Sequence, residues 1–169
     1  MDVLLPPYRL DDVGETDERL VRFLGYWVSL RDDQAIPRRQ DFRPEKIAEA
    51  LPSLTLVEIV TENGCRRFRF RVVGSRIEMV QAVTAGDYID DVASQEGRDA
   101  STARFARVLE AGQPVFDRYS MEVNPDRPMI VRALSCPLSR DGTTVSHIVT
   151  CAAVDNLSLD FLHRPRASR

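Results

Sequence analysis

The sequence predicts an α+β domain with a five-stranded, mainly antiparallel sheet, helices on one face and an amphipathic helix in front. Five segments of strand-like composition occur as a pair and then a group of three, separated by a helical middle. Turn signals, "ENG" in the pair and "SRDGT" in the group of three, indicate hairpins at both ends of the domain. Such an order favours middle helices packed on one face of the sheet, with the leading helix free to cover the other.

The overall composition is that of an ordinary globular protein. The chain has 169 residues, of which 43% are hydrophobic and 29% charged, which suits a single domain with modest extensions. Lys and Arg number 23 against 26 Asp and Glu, giving a net charge of -3. This acidic balance argues against a general nucleic-acid binder, which is usually basic.

The cysteines and the N-terminus indicate a cytoplasmic protein with no membrane partner. Cys65, Cys136 and Cys151 are odd in number and irregular in spacing, which favours a reducing compartment over a disulfide framework. The N-terminus lacks the basic region of a signal peptide, and Pro6 and Pro7 interrupt its apolar run. Apolar runs also fall short of the roughly 20 residues needed to span a bilayer.

We divide the chain into four parts. Residues 1–16 are expected to form a flexible N-terminal arm, 17–52 a helical extension, 53–155 the sheet domain and 156–169 a C-terminal tail. In the extension, Asp17 is a candidate N-cap, and Pro44 opens a short helix. The apolar stripe of the leading helix has helical spacing and comprises Leu20, Phe23, Leu24, Trp27 and Val28.

Within the domain, "LTLVEIV" and "CRRFRFRVV" predict a hairpin, and "VFDRYSMEV", "PMIVRALSCPL" and "TVSHIVTCAAV" predict three further strands. Between them, "SQEGRDASTARFARVLEAGQP" predicts a helix capped by Ser94 and ended by Gly112 and Pro114. We expect its inner face to comprise Thr102, Phe105, Ala106 and Leu109.

Several of these segments resemble the PAS domain superfamily, and within it a family of small stand-alone bacterial PAS-like proteins. The resemblance rests on "YWVSLRDDQAIPRRQDFRPEKIAEALPSLTLVEI", "FRFRVVGSRI", "AGQPV" and "CPLSRDG", and extends from about Phe23 to Asp155. It implies a curved sheet around a small cavity closed by the middle helices. It also implies a non-enzymatic role in signal transduction, through a small-molecule ligand, a signalling protein partner or a homodimer. The segment "MVQAVTAGDY" departs from the family pattern, with Gln81 and Ala85 at two positions that differ.

The resemblance also bears on cofactors. Haem in PAS sensors is held by a histidine in or near the long helix, and "STARFARVLEAG" has none. Flavin photosensors use a cysteine on a middle helix, and the segment 74–92 contains none. Haem and covalent flavin are therefore disfavoured, which leaves non-covalent flavin open.

The alternating strand "RRFRFRVVG" supplies the first candidate site residues. We expect Phe68, Phe70 and Val72 to face the helices, as simple core or as the wall of a ligand pocket. Val131 and Val149 are expected near them. Since a buried carboxylate ligand would need a cation or hydrogen-bond donors, Arg132 and His147 are our candidates for that role. The alternative is that both point outward, and a register slip of one residue would exchange the faces.

The other face of the same strand carries Arg67, Arg69 and Arg71. They can be solvated, or their stems can lie under the leading helix with the guanidinium groups paired to Glu58 or to Asp17 and Glu18. A third interpretation is contact with nucleic acid, which the acidic net charge and the lack of aromatic residues on that face argue against.

The apolar stripe of the leading helix is the candidate partner interface. Leu20, Phe23, Leu24 and Trp27 are expected to contact a partner or a second copy, or else to pack only on their own sheet.

Two rival functions stay open. One is a small enzyme that uses His147 with a carboxylate. The other is a nucleic-acid adaptor that uses the arginine face and the tail from Arg164. No metal site is predicted, because Cys136, His147 and Cys151 lack the close paired spacing of a zinc site.

Overall fold

The computed structural model describes residues 17–121 and 129–155. The expected arm, 1–16, and the expected tail, 156–169, lie outside the described residues. The described residues form three α-helices: α1 (Glu18–Ser29), α2 (Ser75–Gln81) and α3 (Gln95–Ala111). Segments of 3-10 helix cover Arg39–Asp41, Pro44–Ser53 and Ile89–Asp91. The strands are β1 (Leu54–Glu62), β2 (Cys65–Val73), β3 (Val115–Met121), β4 (Met129–Ser139) and β5 (Val145–Asp155).

The five strands form one sheet in the order β2-β1-β5-β4-β3, and every neighbouring pair is antiparallel. The first hairpin turns at Asn63 and Gly64, which both have positive φ, of 51° and 76°. That is the backbone conformation that Asn-Gly favours in two-residue hairpins. Pairing of β1 with β5 joins the N-terminal hairpin to the C-terminal strands, and the predicted α+β class is confirmed.

The expected helix caps are present. The Asp17 Oδ1 atom accepts a 2.8 Å hydrogen bond from the Arg19 backbone amide at the start of α1. The Ser94 Oγ atom accepts from the Gly97 amide at 3.1 Å at the start of α3, and Gly112 ends that helix with φ 61°.

The inner face of α3 differs from the expected one. Its buried residues are Gly97, Ser101, Arg104, Phe105 and Val108. Thr102 and Ala106 are exposed, so our assignment of those two residues to the inner face is wrong. The error has a simple cause, because polarity alone places an arginine on the surface and thereby shifts the expected stripe away from Arg104.

The sheet has a hydrophobic core on each face. On the face that we call outer, α1 packs against β4 and β5, and its stripe belongs to one hydrophobic cluster with Leu56, Leu134 and Val149 among others. On the inner face, α2, α3 and the Ile89–Asp91 segment pack over Val57, Phe68, Phe70 and Ile148. The middle helices thus cover one side of the sheet, and the leading helix covers β4 and β5 on the other side.

A β-bulge breaks the alternation of β2. Leu56 pairs with Val72 and Val57 with Phe70, so Arg71 is an extra residue opposite β1. Val72 is thereby turned to the outer face, where it is 36% exposed, and Val73 packs toward the inner core in its place. Our expectation that Val72 faces the helices is therefore wrong, because a period of two holds only where the strand is regular.

Candidate functional site: an inner cavity around Arg104

A small cavity of about 20 Å³ lies between the inner face of the sheet and the middle helices. All five strands contribute to its wall, together with α2, α3 and the segment around Ile89. Its lining residues are Thr55, Phe70, Ile77, Gln81, Ile89, Ser101, Arg104, Phe105, Tyr119, Ala133, Thr150 and Ala152. A volume of this size accommodates about one water molecule.

Arg104 is the one charged residue among those lining residues, and it is only 3% exposed. Its Nε donates to the Ser135 Oγ at 2.8 Å, and its Nη2 donates to the Ser101 Oγ at 3.3 Å. The Nη1 lies 3.7 Å from the Asp117 Oδ2, at ion-pair rather than hydrogen-bond distance. Within residues 17–121 and 129–155, Nη1 has no hydrogen-bond acceptor.

The surroundings of Arg104 are otherwise apolar or aromatic. Its Cζ lies 5.6 Å from the ring centroid of Phe105 and 5.9 Å from that of Tyr119. Burial lowers the pKa of Arg104, while Tyr119 and Asp117 oppose that shift. Since a guanidinium group stays protonated in proteins, the cavity contains a buried positive charge.

A chain of hydrogen-bonded hydroxyl groups extends from Arg104 across two strands of the sheet. Ser135, which accepts from Arg104, is also hydrogen-bonded to the Thr150 Oγ1 at 2.7 Å. Ser135 and Thr150 are paired residues on β4 and β5, and both are buried. The centre of the sheet's inner face is thus polar, inside a ring of apolar side chains.

The seven residues predicted to bind a ligand are separated by the structure. Phe70 lines the cavity. Phe68 is in the neighbouring inner core, with its ring centroid 5.1 Å from that of Phe105, and Val131 is in the inner core beside Ala133. Neither of these two lines the cavity wall.

The other four predicted ligand residues are on the outer face. Val72 is turned outward by the bulge, and Val149 packs in the core beneath α1. Arg132 and His147 alternate with the inward residues of β4 and β5 and therefore point away from the cavity. Assignment of Val72, Arg132, His147 and Val149 to the inner wall is corrected accordingly.

His147 is buried on the outer face opposite Glu58 of β1 and Leu138 of β4. Burial and the nearby Arg140 lower its pKa to about 4, so it is neutral near pH 7. Its Nδ1 lies 2.9 Å from the Ser146 hydroxyl. With no part in the cavity, His147 has the environment of a packed strand residue.

The predicted partner residues are also buried. Leu20, Phe23, Leu24 and Trp27 are all at most 4% exposed, because α1 docks on the sheet of its own chain. Trp27 additionally donates from Nε1 to the Pro137 carbonyl oxygen at 2.8 Å. In this docked position of α1 the stripe is internal core, which is the second of the two alternatives, packing on the sheet of its own chain.

The arginine face of β2 pairs with carboxylates and is not covered by α1. The Arg69 Nη2 and Arg71 Nε lie 3.0 Å and 3.3 Å from the Glu58 Oε2, and Arg140 pairs with the other oxygen. Arg67 pairs with Glu62 at 2.9 Å and lies over the Tyr88 ring. The expected pairing with Glu58 is confirmed.

The expected pairing with the start of α1 is wrong. Asp17 pairs with Arg19, and Glu18 pairs with Arg22. Both partners belong to α1 itself, because the helix lies over β4 and β5 rather than over β2.

The residues that sequence reasoning missed are Arg104 and the hydroxyls of Ser101, Ser135 and Thr150. One sequence signal points to Arg104. It is placed at helical spacing from Ser101 and Val108 and beside Phe105, on the stripe that faces the sheet. The hydroxyls on β4 and β5 give no such signal, because their meeting depends on the cross-strand register.

The described residues contain neither a cluster of metal-ligating side chains nor a membrane-spanning helix. No group of His, Cys, Asp or Glu there is arranged to hold a metal ion. Nor does any described helix combine the length and apolarity required to cross a bilayer.

Comparison with known proteins gives a family match over most of the chain. A family model described as PAS domain matches residues 16–152. A sensory box sensor histidine kinase from Vibrio cholerae is 17% identical, with a TM-score of 0.43, over 69% of this chain and 98% of that one. The Rhodobacter sphaeroides LOV protein is 13% identical, with a TM-score of 0.44, over 68% and 67% of the two chains. The sequence matches no curated protein.

Proposed function

The chain belongs to the PAS domain family, and from that premise we propose that it is a non-enzymatic sensory domain whose inner cavity binds a small ligand. Its fold supports a signal-sensing role. The observation that carries the ligand proposal is Arg104, a buried cation at the wall of the inner cavity. A buried charge that lacks full compensation is costly, so its retention in a core favours a binding role.

The route for the signal runs through the sheet to α1. On β4, Ser135 belongs to the polar network on the inner side, while the adjacent Leu134 and Cys136 pack beneath α1 on the outer side. On β5, Thr150 belongs to the same polar network on the inner side, while the adjacent Val149 packs beneath α1 on the outer side. A ligand that moves these strands would change the docking of α1, and with it the contact with a signalling protein or a second copy.

A cytoplasmic role without nucleic acid is part of the same proposal. Arg67, Arg69 and Arg71, the candidates for nucleic-acid contact, are paired with carboxylates of the chain itself. The enzyme alternative required a cleft at His147, and His147 is outside the cavity wall.

Two adjacent alanines of β5 give a matched test. Ala152 lines the cavity, and Ala153 packs beneath α1 on the opposite face. Ala152→Val and Ala153→Val add the same volume to a packed core, but only the first fills the cavity. A small-metabolite library is screened by thermal shift against the wild type and both variants, and bound compounds are recovered and weighed by mass spectrometry.

We expect compounds that stabilise the wild type and Ala153→Val, have no effect on Ala152→Val, and are recovered unchanged. Stabilisation that persists in Ala152→Val, or a library without a stabilising compound, would overturn the cavity proposal. Chemical conversion of a bound compound would overturn its non-enzymatic part. The emission of Trp27, the only tryptophan in the sequence, reports on the docking of α1 in the same samples.

A further inference from the structure

We infer that the ligand of the inner cavity is a short carboxylate, whose oxygen accepts hydrogen bonds from the Nη1 of Arg104. This inference rests on the proposed function and specifies the chemical class of its ligand. Nη1 is the end of the guanidinium group that lacks an acceptor among the described residues. Nε and Nη2 already donate to Ser135 and Ser101, so the guanidinium group is held in place while Nη1, at ion-pair distance from Asp117, has no hydrogen-bond acceptor among the described residues.

Asp117 does not supply the hydrogen-bond acceptor that the Arg104 Nη1 lacks. Its Oδ2 is 3.7 Å from the Arg104 Nη1, and it is shared with Arg107 at 3.5 Å. Asp117 is also absent from the cavity wall, which contains no acidic side chain among its described residues. A carboxylate inside the cavity would therefore meet a cation in a wall without acidic side chains, with the Asp117 carboxylate, 3.7 Å from the same Nη1, as a like charge outside that wall.

The remaining polar groups favour an acceptor rather than a donor. The hydrogen bond between Ser135 and Thr150 uses one hydroxyl hydrogen, and Ser135 already accepts from Arg104. When Ser135 donates to Thr150, the Thr150 hydroxyl hydrogen is free to point into the cavity. Tyr119, whose pKa burial raises, keeps its phenolic hydrogen at neutral pH and can donate as well.

The volume and the walls limit the rest of the ligand. About 20 Å³ has room for roughly one water molecule, so the ligand is short and its entry requires the wall to move outward. Ile77, Phe105 and Ala152 give the wall its apolar part, which suits a hydrocarbon group attached to the carboxylate. Of the two α-helices in the wall, α2 has 7 residues against 17 in α3, and so has the fewer helical hydrogen bonds.

The probes are sodium acetate and sodium formate, with acetamide as the neutral analogue of acetate and sodium chloride as the salt control. Each is titrated into the full chain, and backbone amide and Arg104 side-chain resonances are followed by heteronuclear NMR. The variants are Arg104→Lys, which keeps the charge but loses the planar fork, and Arg104→Met, which removes the charge at similar length. Ala152→Val again fills the cavity.

We expect saturable shifts at cavity residues with acetate or formate, and none with acetamide or chloride. Arg104→Lys should weaken binding by about tenfold, and Arg104→Met should abolish it. Equal responses to acetate and acetamide, or acetate binding that survives in Arg104→Met, would overturn the carboxylate inference. So would the absence of any response to acetate and formate in the wild type.

These outcomes are separable from failure of the proposed function. If a neutral compound from the library binds the wild type and not Ala152→Val, the sensory cavity stands and the carboxylate inference falls. If Arg104→Met does not fold, the comparison of acetate with acetamide in the wild type and the Arg104→Lys titration still decide the inference.

Discussion

The indole nitrogen of Trp27 donates a 2.8 Å hydrogen bond to the carbonyl oxygen of Pro137. This bond joins the leading helix to β4 two residues from Ser135, the partner of Arg104. Trp27 is fully buried, so the bond is shielded from water on the outer face of the sheet. It is a polar link within a largely apolar contact between the α1 stripe and the sheet.

Trp27→Phe should destabilise the protein by about 2–3 kcal/mol, because it leaves the Pro137 carbonyl without its donor and opens a small void. The free energy of unfolding is measured by urea titration with far-UV circular dichroism, since the variant has no tryptophan fluorescence. Tyr26→Phe on the same helix is the matched control, because its hydroxyl accepts from the Arg43 amide at an exposed position. Equal losses for both variants would show that the Trp27 bond contributes nothing specific.

The order of the elements could be predicted from the sequence because local signals specify it. Asp17 and Ser94 at helix starts, and Asn63-Gly64 in the first hairpin, act through their nearest neighbours in the chain. Each is present in the structure as expected. The faces of the regular strand segments follow from the same local alternation, which is why Phe68 and Phe70 point inward.

The candidate site could not be predicted in the same way. The bulge at Arg71 depends on how β2 pairs with β1. It turns the Val72 side chain to the outer face, whereas the alternation of the sequence predicts the inner face. The polar centre depends on three elements meeting, since Arg104 comes from α3 and its partners Ser135 and Thr150 come from β4 and β5. Polarity alone assigns each of these residues to the surface, and only the tertiary arrangement pairs them inside the core.

Gly74 is expected to tolerate no side chain. A Cβ atom there would lie 2.3 Å from the Leu51 carbonyl oxygen and 2.5 Å from that of Pro52, both of which are backbone atoms. Because the φ of Gly74 is -67°, the obstacle is contact rather than backbone conformation. Gly74→Ala should cost about 1–3 kcal/mol of unfolding free energy in a urea titration, as expected for overpacking.

Gly25 provides the control for that substitution. It is an exposed position in α1, where an added Cβ atom would meet nothing within 4 Å. Gly25→Ala should stabilise the protein by about 0.5–1 kcal/mol through helix propensity. A Gly74→Ala variant as stable as the wild type would contradict the close approach of β2's end to the 3-10 segment Pro44–Ser53.

His147 should make stability fall as the solution is acidified. Its pKa is lowered from 6.5 to about 4 by burial and by Arg140, so between these values the unfolded chain binds the proton and the folded chain does not. The stabilisation is complete above pH 6.5 and is lost progressively toward pH 4. At about pH 4.5 this single group should lower the free energy of unfolding by about 2–3 kcal/mol.

The free energy of unfolding is measured for the wild type and for His147→Gln at about pH 7 and at about pH 4.5. Most of the His147 titration in the unfolded chain lies between these two pH values. Carboxylates also titrate in this range in both proteins, so the difference between the two pH dependences reports on His147 together with its interaction with Glu58. The variant should lose less stability on acidification than the wild type. Identical losses would mean that His147 is protonated in the folded protein as readily as in the unfolded one.

Glu58 holds three arginines at the uncovered end of the outer face, and its removal should release them. Burial of the carboxyl opposes ionisation, but Arg69, Arg71 and Arg140 outweigh it and lower the pKa of Glu58, which is ionised at neutral pH. Glu58→Gln would leave three guanidinium groups around one neutral amide. We expect a loss of about 1–2 kcal/mol at neutral pH, increasing at low salt, where the repulsion is less screened.

Glu62→Gln is the control for Glu58→Gln, because Glu62 also pairs with an arginine of β2 but is 40% exposed in its side chain. Exposed pairs contribute little, so this variant should change the urea midpoint much less than Glu58→Gln does. Equal effects in both variants, or a Glu58→Gln loss that does not depend on salt, would show that the three arginines are held independently of the Glu58 charge.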